Sequence, residues 1–152
     1  MPNTLFSSMN ISSAGMAAQR ARLDVVAENI ANAESTRTEA GGPYRRRQVI
    51  FQTIPISGQA PSFGSVFQST MKNQASFQSV HVLKVIEDQS PFREVYDPSH
   101  PDADASGMVK MPNVNTVKEM VDMNSAARGF ESNVTVMEAS KRMFLKSLEL
   151  LR

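Results

Sequence analysis

The last third of the chain carries apolar residues at alternating steps of three and four, the spacing of one face of a long helix. Its members are Met120, Met123, Ala127, Phe130, Val134, Met137, Phe144, Leu148 and Leu151, with only Lys141 interrupting the series. The pattern predicts a helix over 116–152, which would be about 55 Å long at about 1.5 Å per residue. Such a helix is too long for the core of a small domain and needs a partner.

A second apolar stripe opens the chain and repeats every seven residues. It consists of Met9, Met16, Leu23 and Ile30. Ala14, Ala17, Ala18 and Ala21 add a neighbouring face so small that another backbone can approach closely. We therefore expect residues 1–33 to form a helix that pairs with the C-terminal helix as an antiparallel coiled coil.

Residues 34–112 lack this helical period. Small, polar and glycine residues over 33–42 predict a loop that ends the first helix. Strands are predicted over 44–54, 80–86, 92–96 and 108–111. The second of these, dense in β-branched residues, is expected to be buried. Residues 57–78 show no clean period and are predicted to be a loop or extended insertion.

The predicted fold class is α+β, in which long N- and C-terminal helices flank a small β-rich middle module. The predicted divisions are 1–33 for the first helix, 34–112 for the β-rich module and 113–152 for the second helix. Because about half of the chain is spent on the two helices, the core of the middle module is expected to be modest.

The C-terminal helix has a second apolar face, about 150° from the first at 100° per residue. It is formed by Val136, Ala139, Met143 and Leu150. Burying one such side chain is worth about 1.5–3 kcal/mol, so a second stripe left in water would favour association. The pattern favours a polymer or bundle in which neighbouring chains cover that face. A monomer with scattered apolar surface is the alternative.

Composition and charge argue against several classes of function for this protein. The net charge of +1 argues against bulk electrostatic attachment to nucleic acid or anionic lipid. Cysteine is absent, which excludes a disulfide framework and a thiolate metal site. Residues 1–10 lack the pattern of a secretory signal, and no apolar stretch approaches the length of a membrane span. If the protein leaves the cytoplasm, we expect a route other than general secretion.

Candidate chemistry is sparse. The run Asp102-x-Asp104-x-Ser106-Gly107 copies the opening of a calcium loop, but Asn113 stands where the bidentate Glu should be. Asx turns that satisfy backbone donors are the favoured interpretation. His81 and His100 are the only histidines and are predicted to be structural. We therefore predict no catalytic residue, no metal site and no cofactor.

Three consecutive arginines, Arg45 to Arg47, form the only basic run, with Arg37 nearby. On a strand they alternate between faces, which predicts a solvated edge that discourages wrong strand pairing. Salt bridges to a neighbouring subunit are the alternative.

The start of the second helix has three candidate caps. Thr116 and Glu119 fit a capping box, in which each side chain accepts a hydrogen bond from the other residue's backbone N–H. Asn113 and Asn115 offer alternative caps.

The run Ala14-Gly-Met-Ala-Ala-Gln-Arg-Ala-Arg-Leu-Asp-Val-Val-Ala-Glu-Asn-Ile-Ala-Asn32 resembles the N-terminal signature of the flagellar axial proteins, the rod and hook subunits. A second and more specific motif runs from Tyr96-Asp-Pro-Ser-His-Pro-Asp-Ala-Asp-Ala-Ser-Gly107 through 111–115 and 119–123, and it is similar to proximal-rod members. The motif residues are Asn29, Asn32, Asp97, Pro98, His100, Pro101, Asp102, Asp104, Gly107, Pro112, Asn113 and Asn115. The similarity covers nearly the whole chain outside about 57–78. Ser106, Met108 and Gly129-Phe130 depart from the family pattern.

The resemblance implies a non-enzymatic building block of the bacterial flagellum. In this family the terminal helices pair into a coiled-coil layer around the central channel of a helical tube, and the β-rich middle packs outside it. Subunits are exported unfolded by the flagellar type III apparatus, and the rod crosses the periplasm and transmits torque. The implied partners are copies of the chain, other rod subunits, and export-gate and basal-body ring components.

Two other hypotheses stay open at this point. One is a different axial component, either another rod type or a hook-proximal subunit. The other is a metal-dependent enzyme that uses Asp102, Asp104 and His100. The absence of any familiar catalytic motif weighs against the enzyme.

Overall fold

The structure, a computed structural model, describes residues 2–39, 41–55 and 78–150. Most of the predicted loop at 57–78 lies outside these ranges, and so does Leu151. Within the described ranges the predicted α+β architecture is confirmed, with two long helices around two small β-hairpins.

The two terminal helices lie against each other in antiparallel orientation. Helix α1 spans Pro2–Ala31 and helix α2 spans Thr116–Glu149. The side chain of Ser8 near the start of α1 contacts that of Ser140 near the end of α2, whereas Asn29 at the end of α1 contacts Glu119 at the start of α2. The two helices therefore lie against each other in antiparallel orientation, as predicted, and their pairing as a coiled coil stays a prediction.

Helix α2 begins at a single asparagine cap. The side chain of Asn115 accepts a hydrogen bond from the backbone N–H of Lys118 at 3.1 Å. Of the three predicted caps, the capping box of Thr116 and Glu119 is wrong, because the Glu119 carboxylate turns inward and binds other partners. A side chain committed to the interior cannot also cap its own helix.

The middle module consists of two antiparallel hairpins. Strands β1, Arg47–Pro55, and β2, Gln78–Glu87, form the first; β3, Arg93–Tyr96, and β4, Met108–Met111, form the second. All four predicted strands are present, with ends shifted by up to three residues. The register of the first hairpin shifts between Ile50 and Phe51, leaving Leu83 as the extra residue of a bulge.

The prediction that β2 is buried is wrong for the single chain. Val82, Leu83 and Val85 are all exposed, although Ser79 at the start of the strand is buried. The reason is that, within the described part of the chain, α1 is the only helix that packs on this two-stranded hairpin. A strand needs a layer on both faces to be fully buried.

The interior of the chain is small and sits where the helices meet the hairpins. Ala33, Tyr44 and Val114 form a buried cluster there. Other buried apolar residues are Ala18, Val25, Val26, Val109, Pro112 and Ala126. None of the described helices has the length and apolar character required to cross a membrane.

Candidate functional site

The hydrogen bonds and the glycine contacts between α1 and α2 involve polar and small side chains. The hydrogen-bonded pairs are Ser8 with Ser140 at 3.3 Å, Arg22 with Asp122 at 3.1 Å and Asn29 with Glu119 at 3.0 Å. Between them, Gly15 faces Asn133 and Gly129 faces Gln19. We call these residues, with the buried Ala126, the contact line.

The predicted apolar stripes lie one residue further along each helix than the contact line. On α1, Met9 follows Ser8 and Met16 follows Gly15, and the same offset holds for Leu23 and Ile30. On α2 it holds for Met120, Met123, Ala127, Phe130 and Val134, which follow Glu119, Asp122, Ala126, Gly129 and Asn133. One residue is about 100° of rotation. The apolar stripes are therefore turned away from the line along which the helices touch.

The offset leaves much apolar surface only partly covered. On α1 all four stripe residues are half-buried, and on α2 so are Met123, Ala127, Phe130, Val134, Met137 and Phe144. The ring of Phe144 packs edge-on against Phe6, with 5.8 Å between centroids. Met120 and Leu148 are 57% and 48% exposed. The stripes thus keep solvent-exposed apolar surface after the chain has folded.

The second apolar face of α2 is open as well. Val136 and Met143 are 47% and 53% exposed, and Leu150 is exposed. Ala139, the smallest member, is half-buried. Exposed apolar residues on one continuous helix mark a surface that gains stability when another molecule covers it.

Asn29 is the centre of a buried polar cluster at the junction of α1, β1 and α2. Its Nδ2 donates to the backbone oxygen of Arg47 at 2.9 Å and to Glu119 Oε2 at 3.0 Å. Its Oδ1 accepts from the backbone N–H of Arg47 at 2.8 Å and from the Tyr44 hydroxyl at 3.0 Å. Both amide hydrogens and both oxygen lone pairs are therefore used, which is what a side chain with 0% exposure requires.

Arg46 and Glu119 form the buried ion pair of this junction. Arg46 Nε lies 2.6 Å from Glu119 Oε1, and the two side chains are 14% and 0% exposed. The Asp88 and Asp122 carboxylates lie 3.8 Å from the same guanidinium. A buried charge is tolerated when it is paired and hydrogen-bonded, as both of these are.

The arginine run was therefore misread as a solvated strand edge. Arg46 is held by Glu119, the guanidinium of Arg45 lies 4.3 Å from the centroid of the Phe92 ring, and Arg47 pairs with Glu28. All three arginines bind groups of their own chain. Local spacing could not reveal this, because Arg46 and Glu119 are 73 positions apart.

Asn113 ties the second hairpin to the first. Its Oδ1 accepts from the backbone N–H of Arg46 at 2.8 Å, and its Nδ2 donates to the backbone oxygen of Asp88 at 3.1 Å. The Ser90 hydroxyl and N–H donate to the carboxylate of Asp88 and hold its pKa below its usual value. Asn113 was considered as a helix cap, and the structure assigns it this bridging position instead.

Tyr44 closes the cluster from the β1 side. Its hydroxyl donates to Asn29, and the ring is buried. Burial, with a further contribution from the negative charge of Glu28, raises the pKa of Tyr44 to about 12. Neither Tyr44 nor Glu119 is among the predicted site residues. Glu119 lies in the motif segment 119–123, whereas nothing in the local sequence marks Tyr44.

The loop from Asp97 to Gly107 is built from Asx turns, as predicted. Asp97 Oδ1 accepts from the backbone N–H of Ser99, and Asp104 Oδ1 accepts from those of Ser106 and Met108. The Ser99 hydroxyl and N–H keep the pKa of Asp97 below its usual value. These bonds explain the calcium-like spacing, because the same alternation of oxygens caps successive backbone donors.

Two further polar side chains of this loop, Asp102 and His100, also have partners inside the chain. Asp102 Oδ2 accepts from the Thr36 hydroxyl at 2.8 Å, and His100 Nδ1 accepts from the backbone N–H of Asp102 at 3.1 Å. The side chains offered for a metal-dependent enzyme thus hold the loop and dock it on the segment after α1. His81, the other histidine, is exposed on β2.

The other motif residues occupy structural positions. Asn32 Nδ2 donates to the backbone oxygen of Glu28 at the end of α1. Pro112 is buried, and Pro101 and Pro98 are exposed in the loop. Gly107 has φ +75°, and a Cβ there would lie 2.9 Å from the Tyr96 ring and 3.2 Å from Pro98. Only glycine fits both the backbone conformation and the space.

Comparison with known proteins agrees with this arrangement at both ends of the chain. A family model described as "Flagella basal body rod protein" matches residues 9–37. A second, "Flagellar basal body rod FlgEFG protein C-terminal", matches residues 105–150. Both models describe flagellar basal-body rod proteins, and that is the class to which the sequence assigns this chain.

Full-length relatives narrow the class further. The chain is 44% identical to "Flagellar basal-body rod protein FlgC" of Borreliella burgdorferi, an alignment that covers 97% of this chain and 98% of the relative. It is also 44% identical to the FlgC protein of Bacillus subtilis with the same coverage, and 42% identical to that of Salmonella typhimurium over 96% and 97% of the two chains. The chain belongs to the FlgC family of flagellar basal-body rod proteins, structural components of the flagellar basal body.

Proposed function

We propose that this protein is a subunit of the proximal rod that polymerises through its terminal helices into a helical tube. The observation that carries the proposal is the rotation of both apolar stripes away from the contact line. Helices that hydrogen-bond through Ser, Arg, Asn and Glu leave part of the surface of Met, Phe, Val and Leu for other molecules. Covering those side chains gives a polymer a driving force that the single chain lacks.

The predicted assembly residues fit two separate surfaces. The apolar stripes on both helices flank the contact line and form the first surface, and the exposed face with Val136 and Met143 forms the second. A subunit with two such surfaces contacts neighbours on two sides, which is the requirement for a closed tube. The three divisions of the chain, at 1–33, 34–112 and 113–152, then correspond to a helical inner layer and a β-rich outer module.

The partners in this proposal are copies of the chain, other rod subunits, and the export-gate and basal-body ring components. The subunit crosses the inner membrane through the flagellar type III apparatus and becomes part of the periplasmic rod, which transmits torque and encloses the export channel. No catalytic step is assigned to the chain. The alternative of a hook-proximal subunit has less support, because the full-length relatives compared above are all named FlgC.

The second surface is tested with Met143→Asp in cells that contain no other copy of the gene. Met143 is exposed in the folded chain, so the added charge leaves the subunit's own interior unchanged. In a polymer that covers this face, the carboxylate would be buried without a partner, which costs several kcal/mol. We expect loss of swimming in soft agar and loss of rods in purified basal bodies, with the helix content of the purified subunit unchanged.

The matched control is Ser132→Asp, which adds the same charge at an exposed polar position of α2. It should swim like the parent. Leu148→Asp tests the first surface in the same way. Cells that swim normally with both Met143→Asp and Leu148→Asp would contradict assembly through these helices.

The proposal also includes that folding of the subunit is coupled to its assembly. Long helices with exposed apolar faces gain stability from neighbours, so the free subunit should be less helical than the assembled one. Circular dichroism of the free and polymerised protein measures the difference. Equal helix content in both forms would contradict the coupling.

A further inference from the structure

Two glycines on the contact line face side-chain amides of the opposite helix. A Cβ on Gly15 would lie 2.9 Å from Nδ2 of Asn133, and a Cβ on Gly129 would lie 3.2 Å from Cδ of Gln19. Each helix therefore contributes one glycine and one amide, four residues apart and in reversed order. We call Gly15, Gln19, Gly129 and Asn133 the glycine–amide quartet.

The quartet is a steric fit more than a set of hydrogen bonds between the helices. Asn133 Nδ2 donates to the backbone oxygen of Gly129 at 2.9 Å, which holds the amide on its own helix and aims it at Gly15. Gln19 Oε1 is buried without a hydrogen-bond partner among the described residues. A buried unpaired oxygen costs stability, so the advantage of Gln19 at this position has to come from its shape.

The apolar stripes cannot by themselves fix how far one helix slides along the other. The α1 stripe repeats every seven residues, so sliding by one heptad brings a similar apolar side chain to each position. The quartet has no such repeat. A slide of one heptad sets Asn133 against Ser8 or Arg22 in place of Gly15, so its amide no longer faces the glycine that leaves room for it.

We propose that the glycine–amide quartet specifies the register of the α1–α2 pair. By fixing which turn of α2 lies against which turn of α1, it also fixes the offset between the apolar stripes that the folded chain presents. The best-attested use of buried polar residues between helices is the choice of register at a cost in stability. The inference stands on contacts within one chain and holds whether or not the proposed polymer forms.

The chain contains no cysteine, so an engineered pair reports the register directly. Ser8→Cys with Ser140→Cys places two thiols where the two hydroxyl oxygens are 3.3 Å apart. Ser8→Cys with Ser147→Cys reports a slide of one heptad. The measurement is the rate of disulfide closure in the purified full chain under mild oxidation. In the parent background the first pair should close at least tenfold faster than the second.

Gly15→Asn is the test variant. Asparagine forms helix better than glycine, so a slower closure cannot come from lost helix propensity. We expect the in-register pair to close at least tenfold more slowly, because two amides meet where one fits. Gly15→Asn combined with Asn133→Gly exchanges the glycine and the amide, and should restore closure to within threefold of the parent. Ser13→Asn, at an exposed position, should leave the rate within twofold.

Three results would overturn the proposal. One is a Gly15→Asn chain that closes within twofold of the parent rate. Another is an exchange variant as slow as Gly15→Asn, which would show that position 15 matters without its partner. The third is a parent chain in which the pair to position 140 closes no faster than the pair to position 147. None of these readouts depends on motility, so they are separate from failure of the proposed assembly.

Discussion

The Asn29 amide and the Glu119 carboxylate are joined by a hydrogen bond of 3.0 Å, and both side chains are fully shielded from solvent. The bond connects the last turn of α1 to the first turn of α2, across 90 positions of sequence. The same carboxylate pairs with Arg46, the residue immediately before β1. One acidic side chain therefore joins three segments of the chain.

Replacing Glu119 with Ala should lower the free energy of unfolding by about 3 kcal/mol, the cost of leaving a buried charge without its main partner. Asp88 and Asp122, both 3.8 Å from Arg46, limit the loss. The loss in free energy of unfolding is measured by urea unfolding monitored by circular dichroism. Glu131→Ala, which removes an exposed carboxylate of the same helix, should cost no more than about 0.5 kcal/mol. Equal effects of the two variants would show that the ion pair contributes nothing.

Tyr44 should make the protein sensitive to alkali. Its pKa is raised from 10.0 to about 12 in the folded chain, so the unfolded chain loses this proton first. The protonated Tyr44 hydroxyl stabilises the folded chain fully below pH 10. This stabilisation is lost as the pH rises through about 12, which lowers the free energy of unfolding by about 2–3 kcal/mol. Tyr44→Phe should remove that part of the pH dependence, at a cost near pH 7 of about 1 kcal/mol for the lost hydrogen bond.

The control for this prediction is Tyr96→Phe, which removes the hydroxyl of an exposed tyrosine. Its stability should fall between pH 10 and 12 as steeply as that of the parent. The measurement is the urea midpoint at several pH values in that range. A Tyr44→Phe curve parallel to the parent curve would contradict the account of the buried hydroxyl.

The cap of α2 can be tested by comparing neighbouring residues. Asn115→Ala removes the side-chain oxygen that accepts from the Lys118 N–H, and should cost about 1 kcal/mol. Thr116→Ala should cost less than about 0.5 kcal/mol, because Thr116 is exposed and is the first residue of the helix and not its cap. Thermal unfolding measures both losses. A larger loss for Thr116→Ala than for Asn115→Ala would contradict the Asn115 cap and favour the capping box.

Substitutions at two glycines with positive φ distinguish the cost of backbone strain from the cost of a steric clash. Gly42 has φ +85° with nothing near a Cβ, whereas a Cβ on Gly107 would meet the Tyr96 ring at 2.9 Å. Gly42→Ala should cost about 1–2 kcal/mol for the left-handed backbone alone. Gly107→Ala should cost clearly more, and Gly107→Ala combined with Tyr96→Ala should recover part of the excess. Equal urea midpoints for the two single variants would show that the Tyr96 contact adds nothing.

Much of the secondary structure was predictable because it follows from short-range patterns. Helical periodicity located both helices to within a few residues, and β-branched residues between Gly and Pro located the four strands. Asx turns over 97–107 followed from Asp and Ser spacing, since such turns close within four residues. The family could be recognised because its motifs are contiguous in sequence.

The junction cluster could not be derived in the same way. Tyr44, Arg46 and Glu119 look like ordinary surface residues in their local sequence, and each is buried only because a distant segment supplies its partner. Burial of a polar group depends on the whole set of its hydrogen bonds. For this reason the predictions of a solvated strand edge at the arginine run and of a capping box at the start of α2 are wrong.

The sequence by itself determined that two long helices with apolar stripes flank a small β-rich centre, because the period of the apolar residues is a property of each helix alone. Only the tertiary structure decided which line of each helix faces the other. Periodicity measures the angle between apolar residues, and it does not say whether they cover the same chain or a neighbouring one. Here the line one residue earlier, with Ser8, Gly15, Asn29 and Glu119, makes the contact within the chain. It does so because small and hydrogen-bonded side chains pack along that line, which leaves the apolar stripes only partly covered.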